Sequence, residues 1–238
     1  PLRRGHPTVH TKWNLNTGIL SGDTMLILAY QYFEQYEPNI FQELAKIFSK
    51  TAIEVCEGQQ YDVDFEQQAQ VSTDQYLKMI AYKTAVLVGA ALQMGAIIAQ
   101  TTEENKQKIY DFGLALGIAY QLQDDYLDTF GDASFGKKIG GDILQNKKTL
   151  LYLKALEKGT PKQKQELLTL YSTEPKSEEE KITRVTEFFI ATESHTFLRA
   201  QVEAYTLKAF AILDTLDIPE EKKNILKEFG SSLMNRTI

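Results

Sequence analysis

The sequence is poor in the residues that several common function classes need. One cysteine, Cys56, among 238 residues leaves no partner for an intrachain disulfide and fits a reducing, cytoplasmic setting. Three scattered histidines, His6, His10 and His195, argue against a zinc site. Cations are outnumbered, 26 Lys and Arg against 32 Asp and Glu, and the net charge of −6 argues against wholesale nucleic-acid binding. No apolar run reaches the roughly 20 residues of a membrane span. Even "AVLVGAALQMGAIIA" (85–99) falls short. The opening "PLRRGHPTVH" shows no signal-peptide pattern. There is no GxxxxGK[ST] loop and no serine–histidine–acid arrangement, so neither nucleotide nor serine-nucleophile chemistry is indicated. Strand-like alternation bounded by turns is missing too.

What remains is helix. Apolar residues three and four apart, with Gly and Pro mainly at the ends, predict helices over 18–36, 40–60, 73–99, 103–130, 142–157, 161–172, 178–193, 195–215 and 219–234. Two irregular stretches interrupt them, 1–16 and the glycine- and lysine-rich 131–141. With no composition shift and no internal repeat, residues 1–238 are expected to form a single all-α domain, a bundle of many helices.

The helix "GIAYQLQDDYLDTF" carries the sharpest signal. At 100° per residue, Gln121, Asp124, Asp125 and Asp128 fall on one face. Carboxylates a turn apart repel by about 4 kcal/mol at 4 Å near a protein surface. A divalent cation turns that repulsion into ligation, and all-oxygen donors suit Mg²⁺ shared with substrate phosphates. A solvated acidic face is the usual reading of such clusters, but the apolar residues around this one make the helix central. The same face continues through Gly117, Leu114 and Gly113. The glycines either open a groove for a hydrophobic tail or simply pack against another helix.

Cations stand elsewhere. Lys83 and Thr84 interrupt a strongly apolar helix, where a lysine either snorkels to the surface or pairs with an anion in a cavity. Gln59 and Asp62 close the second predicted helix. Asp62 is either a further metal ligand or a cap for the next helix. Lys137, Lys138, Lys147 and Lys148 follow the acidic helix in a glycine-rich segment that resembles a lid, or else a plain surface loop. Arg3 and Arg4 form a guanidinium pair near the start. Together these features describe a substrate with an anionic phosphate or diphosphate head and a hydrocarbon tail.

The residues resemble the isoprenyl diphosphate synthase (trans-prenyltransferase) family. "YQLQDDYLD" is similar to its second aspartate-rich motif, FQxxDDxxD, with Tyr120 replacing the usual Phe. "GKKIGGDILQNKKT" resembles GKxxGxDxxxxKxT, "GQQYD" resembles GQxxD, "YKTA" the substrate-lysine segment, and "PLRRGHPTVH" the RRGxPTxH segment, all in family order. The resemblance implies an all-α isoprenoid synthase bundle around a deep central cavity, usually homodimeric. It implies Mg²⁺ held by Asp62, Asp124, Asp125 and Asp128. It places Arg3, Lys83, Thr84, Gln121, Lys138 and Lys147 on the allylic diphosphate and Arg4 on isopentenyl diphosphate, counts Gln59 among the substrate-binding residues, and sets Lys83, Thr84 and Gln121 nearest the chemistry. The implied reaction is head-to-tail condensation to a farnesyl, geranylgeranyl or longer product with release of diphosphate. The family's first DDxxD motif, expected just before Pro1, is absent, so the chain is expected to be an N-terminally truncated part of a longer enzyme. The alternatives are a terpene cyclase or head-to-head synthase on the same fold, or a non-catalytic diphosphate-binding subunit.

Overall fold

The structure, a computed structural model, describes residues 1–3, 5–132, 139–174 and 177–234. Arg4, Lys137 and Lys138 lie outside them. The all-α expectation holds, and the chain divides into two compact units, Pro1–Ser49 and Lys50–Ile238.

In the first unit, the expected irregular start is partly ordered. Two-residue strands β1 (Leu2–Arg3) and β2 (His6–Pro7) pair antiparallel, with Gly5 at φ +76° in the turn. A short α1 (Val9–Lys12) follows. Helix α2 (Leu15–Gln31) starts three residues earlier than predicted, because the Asn14 side chain accepts the Thr17 backbone N–H and caps it. α2 has no buried residue, although it carries Leu15, Ile19, Leu20, Met25, Leu26, Ile27 and Leu28.

Helix α3 (Pro38–Gln67) runs through the division between the units. It continues seven residues past its predicted end, so Asp62 lies inside a helix and caps nothing. In the second unit, Ser72 and Gln75 form a reciprocal capping box that starts α4 (Thr73–Ile80). The predicted helix 73–99 is then interrupted by a π-helical turn, Ala81–Ala85, before α5 (Val86–Ile98). The Val86 N–H reaches back five residues to the Ala81 carbonyl. Thr73–Ile98 is long enough and, over an 18-residue window of mean hydropathy 1.4, apolar enough to cross a membrane by length and composition. The shorter run considered from the sequence had missed this, but α5 and the π turn pack along α6, as a core helix does.

α6 (Glu103–Phe130), capped by Thr102, is the axis of this unit. It packs against α5 and α11 (Ser194–Asp214). Its C-terminal half joins a core with Tyr76, Ile80, Leu150, Val185, Phe189 and Leu198. Its N-terminal half joins a second core with Ala209, Leu213 and Leu216. The glycines bear on the groove question for α6. A Cβ on Gly117 would stand 2.6 Å from Ala85 Cα, and one on Gly113 would stand 2.8 Å from Gly89 Cα. Both glycines pack closely against a neighbouring helix, which favours the packing reading of that face.

The predicted helix 142–157 is two helices, α7 (Gly141–Leu144) and α8 (Leu150–Lys158). Asn146, at φ +56°, breaks the run, and Lys181 Nζ holds its side-chain oxygen at 2.5 Å. α9 (Pro161–Ser172), α10 (Glu178–Ala191) and α12 (Glu220–Met234) complete the unit near their predicted bounds.

Candidate active site

A cavity of about 210 Å³ in the second unit gathers much of the chemistry. Asp124 and Asp125 enter it from α6, Lys83 from the π turn, Asp62 from α3, and Asp142, Lys147 and Lys148 from α7 and the break that follows it. Phe65, Tyr76, Met79 and Ile80 supply the apolar wall. Its volume is below the roughly 300–1,000 Å³ of most ligand pockets. It fits a charged head group rather than a long tail.

Gly58 explains how α3 reaches the π turn. A Cβ there would lie 2.3 Å from the Lys83 backbone nitrogen, so only glycine allows this crossing. One helical turn further on, Asp62 Oδ2 accepts Lys83 Nζ at 2.8 Å and Lys147 Nζ at 2.9 Å. Burial pushes the Asp62 carboxyl up, but the two ammoniums outweigh it and hold it below the usual carboxylate range. Lys83 is therefore paired rather than snorkelling. Lys147 also donates to Glu66; burial pulls its ammonium down, and Glu66 and Asp62 together hold it above its ordinary range. Lys148 Nζ reaches the Phe65 and Glu66 carbonyls at 2.5 and 3.0 Å, satisfying acceptors at the end of α3. Lys147 and Lys148 are thus pinned to α3 and do not ride on a free loop.

The acids on α6 are not alike. Asp125 is buried, and burial raises its carboxyl to about 7 despite hydrogen bonds from Tyr76 and Gln121; Asp124 adds to the rise. Asp142 is raised to about 8, by burial first and then by Asp125, Asp128 and Asp124. Asp128 Oδ2 accepts the Asp142 backbone N–H at 2.9 Å, and its carbonyl accepts the Gly140 N–H at 2.6 Å, which fastens α7 to the acidic helix. Thr84 Oγ1 donates to Gln121 Oε1 at 2.8 Å, so Thr84 acts through Gln121. Gln59 is exposed on α3 and does not line the cavity. Arg3 is exposed on β1, in the first unit.

Two participants went unassigned in the sequence. Asp142 was visible as the aspartate of the GKxxGxDxxxxKxT pattern, but its role depends on the break at Asn146. Tyr76 carries no local signal; it reads as one more core aromatic.

Among the described residues, no three acidic, histidine or cysteine side chains close on a point that would hold an ion unaided. The donor set nevertheless fits Mg²⁺. The facing carboxylates are all-oxygen donors, and burial, reinforced by their mutual repulsion, disfavours the charged form of Asp125 and Asp142, a penalty that a divalent cation would relieve. Mg²⁺ is commonly held by one or two carboxylates, waters and substrate phosphates rather than by a complete protein cage.

Comparison with known proteins follows the same lines. The polyprenyl synthetase family model matches residues 1–188. The geranylfarnesyl diphosphate synthase of Natronomonas pharaonis is 40% identical over 165 residues, 66% of this chain and 47% of that protein. The geranylgeranyl pyrophosphate synthase of Geoglobus acetivorans is 32% identical over 99% of this chain and 72% of its own length. The chain thus spans about half the length of the first two curated relatives it matches, 47% and 53%. A crystal structure of a geranylgeranyl pyrophosphate synthase superposes with a TM-score of 0.94 at 50% identity, over 100% of this chain and 74% of that one. With its aspartates facing its lysines across one cavity, this chain belongs to the polyprenyl synthetase family.

Proposed function

We propose that the protein catalyses Mg²⁺-dependent, head-to-tail prenyl transfer, joining isopentenyl diphosphate to an allylic diphosphate and releasing diphosphate. The observation that carries this reading is the single cavity with Asp124, Asp125 and Asp142 facing Lys83, Lys147 and Lys148. The relatives' names support it and favour geranylgeranyl diphosphate as the product. A cation bound at the α6 carboxylates would neutralise charge developing on the departing diphosphate.

The chain's own residues do the rest. Asp124, Asp125 and Asp128 present oxygens from one helix face, and Asp142 extends that group. Lys83 and Lys147 move from Asp62 to the phosphate oxygens, where they stabilise the charge that grows as the allylic C–O bond opens. Asp62 therefore serves first as their counter-ion and reaches a cation only when they release it. The family resemblance assigns Arg3 and Lys138 to the allylic diphosphate and Arg4 to isopentenyl diphosphate. Tyr76, Met79 and Ile80 keep water from the allylic cation. The Gln121 side chain and the loosened carbonyls of the π turn face that cation. The isopentenyl double bond attacks it, and the proton then lost passes to the released diphosphate.

Residues 1–238 act in this reading as one all-helical synthase domain, working in the cytoplasm as a homodimer whose contact face is the exposed apolar side of α2. The test is elongation by the full-length protein of labelled isopentenyl diphosphate with an allylic starter and Mg²⁺. A linear prenyl diphosphate is expected. A cyclised hydrocarbon made without isopentenyl diphosphate would identify a terpene cyclase, and tight diphosphate binding without turnover would identify a binding subunit.

A further inference from the structure

Asp125 has neither carboxylate oxygen to itself. Gln121 Nε2 donates to Oδ1 at 2.9 Å, and Tyr76 OH donates to Oδ2 at 2.5 Å. Gln121 is anchored in turn at its other end, where Oε1 receives the Thr84 hydroxyl. One phenol therefore links α4 to α6, and its ring packs in one core with Leu150, the first residue of α8, which begins directly after Lys147 and Lys148.

The ring alone does not account for this residue. Tyr76 is 1% exposed and sits in the core with Phe65, Leu122 and Leu150, a position that phenylalanine would fill equally well. A hydroxyl is costly to bury unless it is hydrogen-bonded, and here it donates to Asp125.

We propose that Tyr76 is a positioning residue of the diphosphate site, holding Asp125 so that Gln121 stays locked to Thr84. The proposal rests on the prenyl-transfer reading and deepens it. Without the phenol, Asp125 Oδ2 loses its donor and is free to turn. Gln121 then loses its fixed orientation beside the cation, although every group that touches substrate is still present. Loss of such a supporting hydrogen bond costs about 10–100-fold in activity.

The test uses the full-length protein with Tyr76→Phe. The expected result is a kcat lower by about 10–100-fold with KM for both diphosphates little changed. Adding Tyr76→Phe to Gln121→Ala should cost little more than Gln121→Ala alone, because the two act through one link. An unaltered kcat, a change confined to KM, or fully additive losses would overturn the proposal. Should Tyr76→Phe not fold, fluorotyrosine at position 76 keeps the volume and alters the donor. kcat is then expected to follow phenol acidity, and a flat response overturns the proposal. If the wild-type protein elongates nothing, the prenyl-transfer reading falls by itself. Tyr76 is then judged by the structure of Tyr76→Phe with Mg²⁺-pyrophosphate, where Gln121 should leave Thr84 and where an unmoved Gln121 would refute the role.

Discussion

At the scale of single residues, charge placement decides what the site does. Asp62 holds two ammoniums on one oxygen, while Asp125 and Asp142 face other acids and are raised to about 7 and about 8. An unfolded aspartate titrates near 3.9. Between roughly pH 4 and 8 the folded protein therefore binds more protons at these two groups than the unfolded chain does, and their contribution to stability falls as pH rises. A divalent cation removes that penalty. The Tm gained on adding Mg²⁺ should be larger near pH 8 than near pH 5.5, as a differential melting experiment can show; an equal gain at both would separate the cation from these carboxylates. The acids on α6 and the lysine at 83 were legible in the sequence, because charged residues in an apolar helical run need a reason. Tyr76 was not, since its hydroxyl acquires meaning only from residues 49 positions away.

At the scale of elements, the site depends on close helix crossings. Gly58 lets α3 touch the backbone of the π turn, and Gly117 lets α6 touch Ala85. Gly58→Ala puts a methyl group against backbone, an overpacking cost of about 1–3 kcal/mol. Each kcal/mol lowers Tm by roughly 2–4 °C in a domain of this size. Gly117→Leu should unfold or strongly destabilise the protein rather than shorten its product. A folded Gly117→Leu enzyme with a shorter product would revive the groove reading. Helix existence was readable from apolar spacing, whereas the caps Ser72 and Thr102 show themselves as caps only in the structure. The π turn and the break at Asn146 were not readable either. Both are set by packing partners, and no Gly or Pro marks the break itself, which instead takes Asn146 at a positive φ.

At the scale of the whole molecule, α2 stands out as an apolar helix without a buried side chain. An exposed apolar surface of that kind usually marks an interface. If the proposed homodimer forms through this face, Leu20→Glu with Ile27→Glu converts it to monomers in sedimentation velocity while the helical circular dichroism is retained. A dimer that survives would move the interface elsewhere. The paired carboxylates of the second unit have an effect that extends beyond the cavity. With the Asp125 and Asp142 carboxyls raised, a cation that took their oxygens as proposed would displace protons and acidify the surroundings. Calorimetric heats of loading will then vary with the ionisation enthalpy of the buffer, and the slope of that dependence counts the protons expelled.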